Sequence, residues 1–163
     1  MNKLNLIMKI THTRTFSIIA ISLLFVLMNS CTKDNDFTEK DDNSIREYLQ
    51  KNDLSAQKTG SGLYYIVKEP GSSQKPNIAS RVTVHYKGYL LDGSEFECSY
   101  ASSPLTFFLR DVITGWQEGL QLYGEGGEGT LLIPSHLAYG NTQRTGIPAN
   151  SVLIFDIHLI NIE

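Results

Sequence analysis

Between Gly62 and the C-terminus, one segment repeats its apolar residues at helical spacing: Ile113, Trp116, Leu120 and Tyr123. A period of three to four places these side chains on one face of a short helix, here expected over residues 112–122. The segments around it alternate instead. Val82, Val84 and Tyr86 interleave with Thr83, His85 and Lys87, and Leu153, Phe155, Ile157 and Leu159 share one face of the last segment. A lone short helix among strands narrows the packing, because its single apolar stripe is buried best against a curved sheet that wraps it. The expected fold class is therefore α+β, an antiparallel five- to six-stranded half-barrel sheet around one short helix. Gly115 and Gly119 weaken that helix, each by about 1 kcal/mol relative to Ala, so tertiary packing must hold it.

The remaining strands follow from local signals. Leu63–Lys68 reads as a strand stopped by Pro70-Gly71, and Asp92-Gly93 marks a hairpin. Strands are expected at Glu95–Cys98 and Leu105–Leu109, at 129–133 after the Gly126-Gly127 turn, and at Val152–Ile160.

The first thirty residues stand apart from this domain. Lys3, Lys9 and Arg14 precede an apolar run from Phe16 to Met28. That run is shorter than the ~20 apolar residues needed to span a bilayer and fits a signal-peptide core. Cys31 follows Leu27-Met-Asn-Ser30, an arrangement that resembles the cleavage box of bacterial lipoproteins and makes Cys31 the expected lipidation site. The alternative is an ordinary secretory signal beside an incidental cysteine. Residues 32–43 are polar and charged and read as a flexible acidic spacer. Ser44-x-x-Glu47 matches a capping box ahead of Ile45, Tyr48 and Leu49, which predicts a short helix near 44–51. The expected organisation is thus a signal peptide over 1–30, a lipidated Cys with spacer and short helix over 31–61, and one folded domain over 62–163. Two cysteines, one of them an anchor, make no disulfide framework, so the fold must stand on its apolar core. Without residues 1–30 the chain carries eleven basic and seventeen acidic residues, a net charge of about −6 with His neutral. Nucleic acid is not an expected partner.

Four segments bear on chemistry: Val82-Thr-Val-His-Tyr-Lys-Gly88, Asp92-Gly-Ser-Glu-Phe96, Val112-Ile-Thr-Gly-Trp-Gln-Glu-Gly119 and Ile133-Pro-Ser-His-Leu-Ala-Tyr-Gly140. They supply aromatic rings and almost no reactive group. Such a set suits holding an apolar group away from water, not hydrolysis, phosphoryl transfer or redox work. Core packing alone is the competing explanation for Trp116, Phe107, Phe108 and Phe155. Two features favour a site. Tyr86 and Tyr139 carry hydroxyls that need partners when buried, and residues 139–148 form a polar loop between apolar strands, where binding rims are often found. Gly124-Glu-Gly-Gly-Glu-Gly129 lacks the Lys-Ser/Thr of a phosphate loop and reads as a turn. His85, His136 and His158 have no ligand neighbours at metal spacing, so no metal and no cofactor is expected.

In order and spacing, these segments resemble the FKBP-type peptidyl-prolyl cis-trans isomerases along about two thirds of the chain. The resemblance implies roles for individual residues. Tyr86 lines the pocket and Phe96 forms a second wall. Val112 and Ile113 line one side, with Phe107 among the residues that bind substrate. Trp116 is the floor beneath a prolyl ring. Tyr139 donates a hydrogen bond to a bound carbonyl, Ile147 precedes the proline of a flap-like loop, and Phe155 stands on the last strand. Some positions depart from the family pattern. Glu97 stands where the family has Asp and would set a carboxylate at the pocket edge; Cys98 replaces a usual Ser. The Leu109–Val112 segment is short, and the loop after Tyr139 has no aromatic residue or His. The implied activity is cis-trans isomerisation of Xaa-Pro bonds, assisting the folding of extracytoplasmic proteins. Its partners would be proline-containing polypeptide clients, FK506-type macrolides, and a membrane reached through the lipid anchor, with the protein in the cell envelope facing the periplasm or the cell surface. The alternative is a non-catalytic module or holdase that captures proline segments with the same pocket; a third reading is a structural lipoprotein whose pocket is vestigial.

Overall fold

The computed structural model describes residues 33–163. The chain runs through helix α1 (Lys33–Lys51), strands β1 (Gln57–Lys58), β2 (Tyr64–Glu69), β3 (Arg81–Leu90), β4 (Glu95–Cys98) and β5 (Leu105–Phe108), helix α2 (Thr114–Leu120), and strands β6 (Gly127–Ile133) and β7 (Leu153–Ile162). Single 3-10 turns at Leu109–Asp111 and Ser135–Leu137 lead into α2 and follow β6. All pairings are antiparallel, in the order β1-β2-β6-β7-β3-β4. β5 pairs with the first half of β3 and β4 with the second. Together they form one edge strand interrupted by residues 99–104. The α+β class holds, with one more strand than expected, because β1 forms in the stretch before Gly62.

The sheet is apolar on both faces, and the alternation of side chains separates them. Val82, Val84 and Tyr86 of β3, Leu131 and Ile133 of β6, and Leu153, Phe155, Ile157 and Leu159 of β7 share one core with Trp116 and Leu120 of α2. Their neighbours Tyr64, Leu132 and Ile154 point the other way and pack with Ile45 and Leu49 of α1. This is why Leu131-Leu132-Ile133 and Leu153-Ile154-Phe155 are continuous apolar runs: a strand covered on both sides has no polar face to show.

The helix glycines have a steric reason. A Cβ at Gly115 would lie 2.4 Å from Ile133 Cγ2, and one at Gly119 would lie 2.6 Å from Leu131 Cδ1. α2 therefore approaches β6 more closely than any larger residue allows, and burial of Trp116 and Leu120 offsets the lost helix propensity.

The N-terminal segment differs from expectation. Helix α1 extends over nineteen residues, so the stretch read as a flexible spacer is helical from Lys33, and Ser44 lies within the helix instead of capping it. The compact unit comprises Phe37–Glu163; α1 from Phe37 onward and the 52–61 connection belong with the sheet. Overall polarity hid a docking face. Asp41, Ile45 and Leu49 recur every fourth residue and are all buried, while Asp42 pairs with Arg46 one turn on at 2.6 Å. The expected signal peptide and Cys31 lie outside the described residues.

Candidate functional site

A cleft of about 280 Å³ opens beside the N-terminus of α2. Trp116, only 5 % exposed, sits at its base. Three rings brace the indole. Tyr86 meets it edge-on with centroids 5.0 Å apart, Phe155 does so at 5.1 Å, and Phe107 is tilted at 5.6 Å. Edge-to-face packing at these distances fixes each ring relative to the others, so the walls are set before any ligand arrives. Val112 and Ile113, in the turn entering α2, close one side, and Tyr139 closes another. The cleft takes residues from β3, β4, β5, the α2 entry, the 134–140 segment and β7, which no contiguous sequence motif could provide.

Two acids are the charged members of the lining, Glu97 and Asp111. Burial first, and then the Glu97 carboxylate as a hydrogen-bond partner, push the Tyr86 phenol well above its ordinary pKa. Tyr86 therefore remains a neutral hydroxyl through the physiological range. The indole Nε1 of Trp116 is the one buried side-chain nitrogen or oxygen among the described residues without a hydrogen-bond partner. Among those residues no group of His, Cys, Asp and Glu is arranged to hold a metal ion. The cleft can bind an apolar ring between aromatic walls, but it offers no nucleophile–base pair.

Residues 72–160 match the profile of the FKBP-type peptidyl-prolyl cis-trans isomerases. The chain belongs to that family. It is 48 % identical over 108 residues to the isomerase FkpA of Buchnera aphidicola from Schizaphis graminum, an alignment covering 65 % of this chain and 43 % of that protein. Against FkpA of Escherichia coli K12 it is 42 % identical over 121 residues, covering 72 % and 45 %. The crystal structure of Escherichia coli FkpA superposes with a TM-score of 0.68 at 32 % identity, covering 100 % of this chain and 83 % of that one. The alignments span about half the length of the FkpA sequences.

In this FKBP domain, Tyr86, Glu97, Phe107, Val112, Ile113, Trp116, Tyr139 and Phe155 come together in the cleft lining. Two further expected residues stand behind it. Phe96 packs edge-on against Phe155 at 5.6 Å, an approach left open by Gly88, where a Cβ would come within 2.6 Å of the Phe96 ring. Ile147 is buried in the core below the loop. Leu105 and Asp111 line the cleft and were not anticipated. Leu105 was legible, since it alternates with Phe107 on the same face of β5; Asp111 lies in a 3-10 turn, where no period marks it.

Ser99 is a second unforeseen contributor. It follows β4 where the edge strand breaks, and its Oγ accepts the Tyr86 backbone N–H at 2.7 Å and lies 3.1 Å from the Tyr86 carbonyl oxygen. One serine thus replaces the missing strand neighbour and holds Tyr86 in place. Its Oγ also lies 3.0 Å from His85 Nδ1, which gives His85 a structural role. His136 is structural too, its Nε2 lying 3.0 Å from the Ser61 carbonyl oxygen. Tyr139 is placed through Ser135: the Ser135 carbonyl accepts from the N–H groups of Ala138 at 3.0 Å and Gly140 at 2.8 Å, the residues on either side of it.

Proposed function

We propose that this chain catalyses cis-trans isomerisation of Xaa-Pro bonds in the aromatic cleft, as its family membership suggests. The observation that carries the reading is Trp116 at the base of an apolar cleft, framed by Tyr86, Phe107 and Phe155. An Xaa-Pro bond turns over in tens to hundreds of seconds unaided, against an amide barrier of ~18–20 kcal/mol. The planar amide is the more dipolar form and is solvated best by water. An apolar cleft therefore disfavours it relative to the twisted amide, so the enzyme binds the transition state in preference to the ground state. The prolyl ring would rest on Trp116 against Phe155 and Ile113, with the Tyr139 hydroxyl donating to a substrate carbonyl. No proton transfer or covalent step is required. Each ~1.4 kcal/mol of preference for the twisted form gives a tenfold rate. A protease-coupled or NMR assay on residues 32–163 with a short Xaa-Pro peptide tests this. Acceleration is expected; peptide binding without acceleration would point to the capture module instead.

The clients we infer are proline-containing segments of extracytoplasmic proteins, reached from a membrane by a lipid anchor on Cys31. The basic residues and apolar run before Cys31, with Leu27-Met-Asn-Ser30 directly ahead of it, support that reading. Several acyl chains hold a protein at a membrane where one would not. Cys31→Ser is expected to move the protein to the soluble fraction; unchanged membrane fractionation would contradict the anchor.

A further inference from the structure

We propose that Asp41, on the helix behind the sheet, is a positioning residue for the isomerase cleft, acting through Ser135 on Tyr139. The proposal rests on the reading of Tyr139 as the hydroxyl that holds the substrate carbonyl. Asp41 and Ser135 are each 3 % exposed although 94 residues separate them in sequence. One carboxylate oxygen of Asp41, Oδ2, accepts both the Ser135 backbone N–H at 2.8 Å and the Ser135 hydroxyl at 2.6 Å. Ser135 opens the 3-10 turn after β6, a turn that has no side-chain cap of its own. Asp41 supplies that cap from another element. The same residue's carbonyl then accepts from Ala138 and Gly140 on either side of Tyr139. A continuous path of hydrogen bonds therefore runs from α1 to the backbone that carries the pocket hydroxyl.

The helix end of the path is itself fixed. Ile45, one turn beyond Asp41, is fully buried against the sheet. Asp42, the next residue, bonds to the Tyr64 hydroxyl at 2.7 Å and pairs with Arg46 at 2.6 Å and with Lys58. Adjacent carboxylates thus tie α1 to two different parts of the domain, Asp42 to β1 and β2, and Asp41 to the turn before Tyr139. Without the Asp41 carboxylate, a buried N–H and a buried hydroxyl would lose their partner, and the turn would be free to shift.

The test uses the full chain and a two-by-two set of variants, Asp41→Asn and Tyr139→Phe, alone and combined, with kcat/KM on a short Xaa-Pro peptide and Tm for each. A shift of the Tyr139 hydroxyl by a fraction of an ångström should make Asp41→Asn about threefold to tenfold slower. In the Tyr139→Phe background, the same change should cost less than about twofold, because the group it positions is gone. A merely structural role would lower Tm and leave the activity ratio equal in both backgrounds. That equality would overturn the proposal, as would wild-type kcat/KM in Asp41→Asn. Wild-type kcat/KM in Tyr139→Phe alone would instead overturn the reading of Tyr139, and the proposal with it. Should Asp41→Asn not fold, Ser135→Ala, which keeps the backbone donor and removes only the hydroxyl, carries the same comparison, with a smaller loss that again vanishes in the Tyr139→Phe background.

Discussion

On one face the sheet meets α1 from Phe37 onward, about four turns of helix; on the other it meets a helix of seven residues. The longer helix packs Ile45 and Leu49 over Leu132 and Ile154, three of them fully buried, with Tyr64 beside them. The shorter helix covers only part of its face, and the remainder is lined by aromatic rings around a cleft. Similar strands, alternating residue by residue, thus pack a helix-covered core on one side and frame an aromatic cleft on the other. What differs is the length of the covering helix and the stiffness of the side chains at the gap. Aliphatic residues left uncovered would collapse inward, whereas edge-packed rings hold a shape.

The sharpest way to break this contrast is to cut a large side chain from each face. Trp116→Ala is expected to cost about 3–5 kcal/mol of stability and Leu132→Ala about 2–5 kcal/mol. Their activities should separate. Assayed as folded protein well below either midpoint, Trp116→Ala should lose tenfold or more in kcat/KM, while Leu132→Ala stays within about twofold of wild type. Equal losses would mean that the two faces are not functionally distinct.

A smaller effect is expected from the hydroxyl on the open face. Tyr139→Phe removes one hydroxyl and little volume, so kcat/KM should fall several-fold, to the order of one lost hydrogen bond of about 0.5–1.5 kcal/mol, while Tm stays near wild type. Smaller still for catalysis is Glu97. Its extra methylene relative to Asp carries the carboxylate about 1 Å further, and a well-aligned ligand hydrogen bond to a charged group contributes about 1.5–3 kcal/mol. Glu97→Asp should therefore tighten binding of an FK506-type macrolide more than it raises the isomerisation rate; equal macrolide affinity in titration would show that the methylene is accommodated.

Both faces should answer alkali in the same direction. Tyr86 on the open face, Tyr89 towards α1 and Tyr123 in the core each have a raised phenol pKa, with burial the largest cause. Below the unfolded phenol value of about 10 these groups are protonated in both states and stability is unaffected by them. Above it the unfolded chain releases protons that the folded chain retains, so stability falls as pH rises. Denaturant midpoints should therefore drop above about pH 10, with no contribution from these phenols between about pH 6 and 9.

Much of the open face was legible in the sequence, and the helix covering the other face was not. Period two set β3 and β7, period three to four set α2, and the separated aromatic motifs brought Tyr86, Trp116, Tyr139 and Phe155 to one place. Phe96 packs against the lining residue Phe155 and Ile147 belongs to the same core, so the motifs brought both to the neighbourhood of the cleft. Helix α1 was missed over its first half because its polar composition outweighed the fourfold spacing of Asp41, Ile45 and Leu49. The doubled apolar runs in β6 and β7 held the missing clue, since an open second face would have shown polar residues there. Ser99 and Asp41 act through backbone groups of distant residues, and hydrogen bonds across 13 and 94 positions leave no periodic trace.

If the aromatic cleft accelerates rotation about Xaa-Pro bonds, the effect must appear in the exchange rate of a free peptide. NMR exchange spectroscopy on a short Xaa-Pro peptide, with wild type and folded Phe155→Ala at equal concentration, measures that rate directly. Wild type should raise cis-trans exchange far above the uncatalysed rate, and Phe155→Ala should lose tenfold or more of that acceleration, equivalent to ~1.4 kcal/mol or more of transition-state preference. Wild-type exchange in folded Phe155→Ala, or no acceleration by either protein, would contradict catalysis in the cleft.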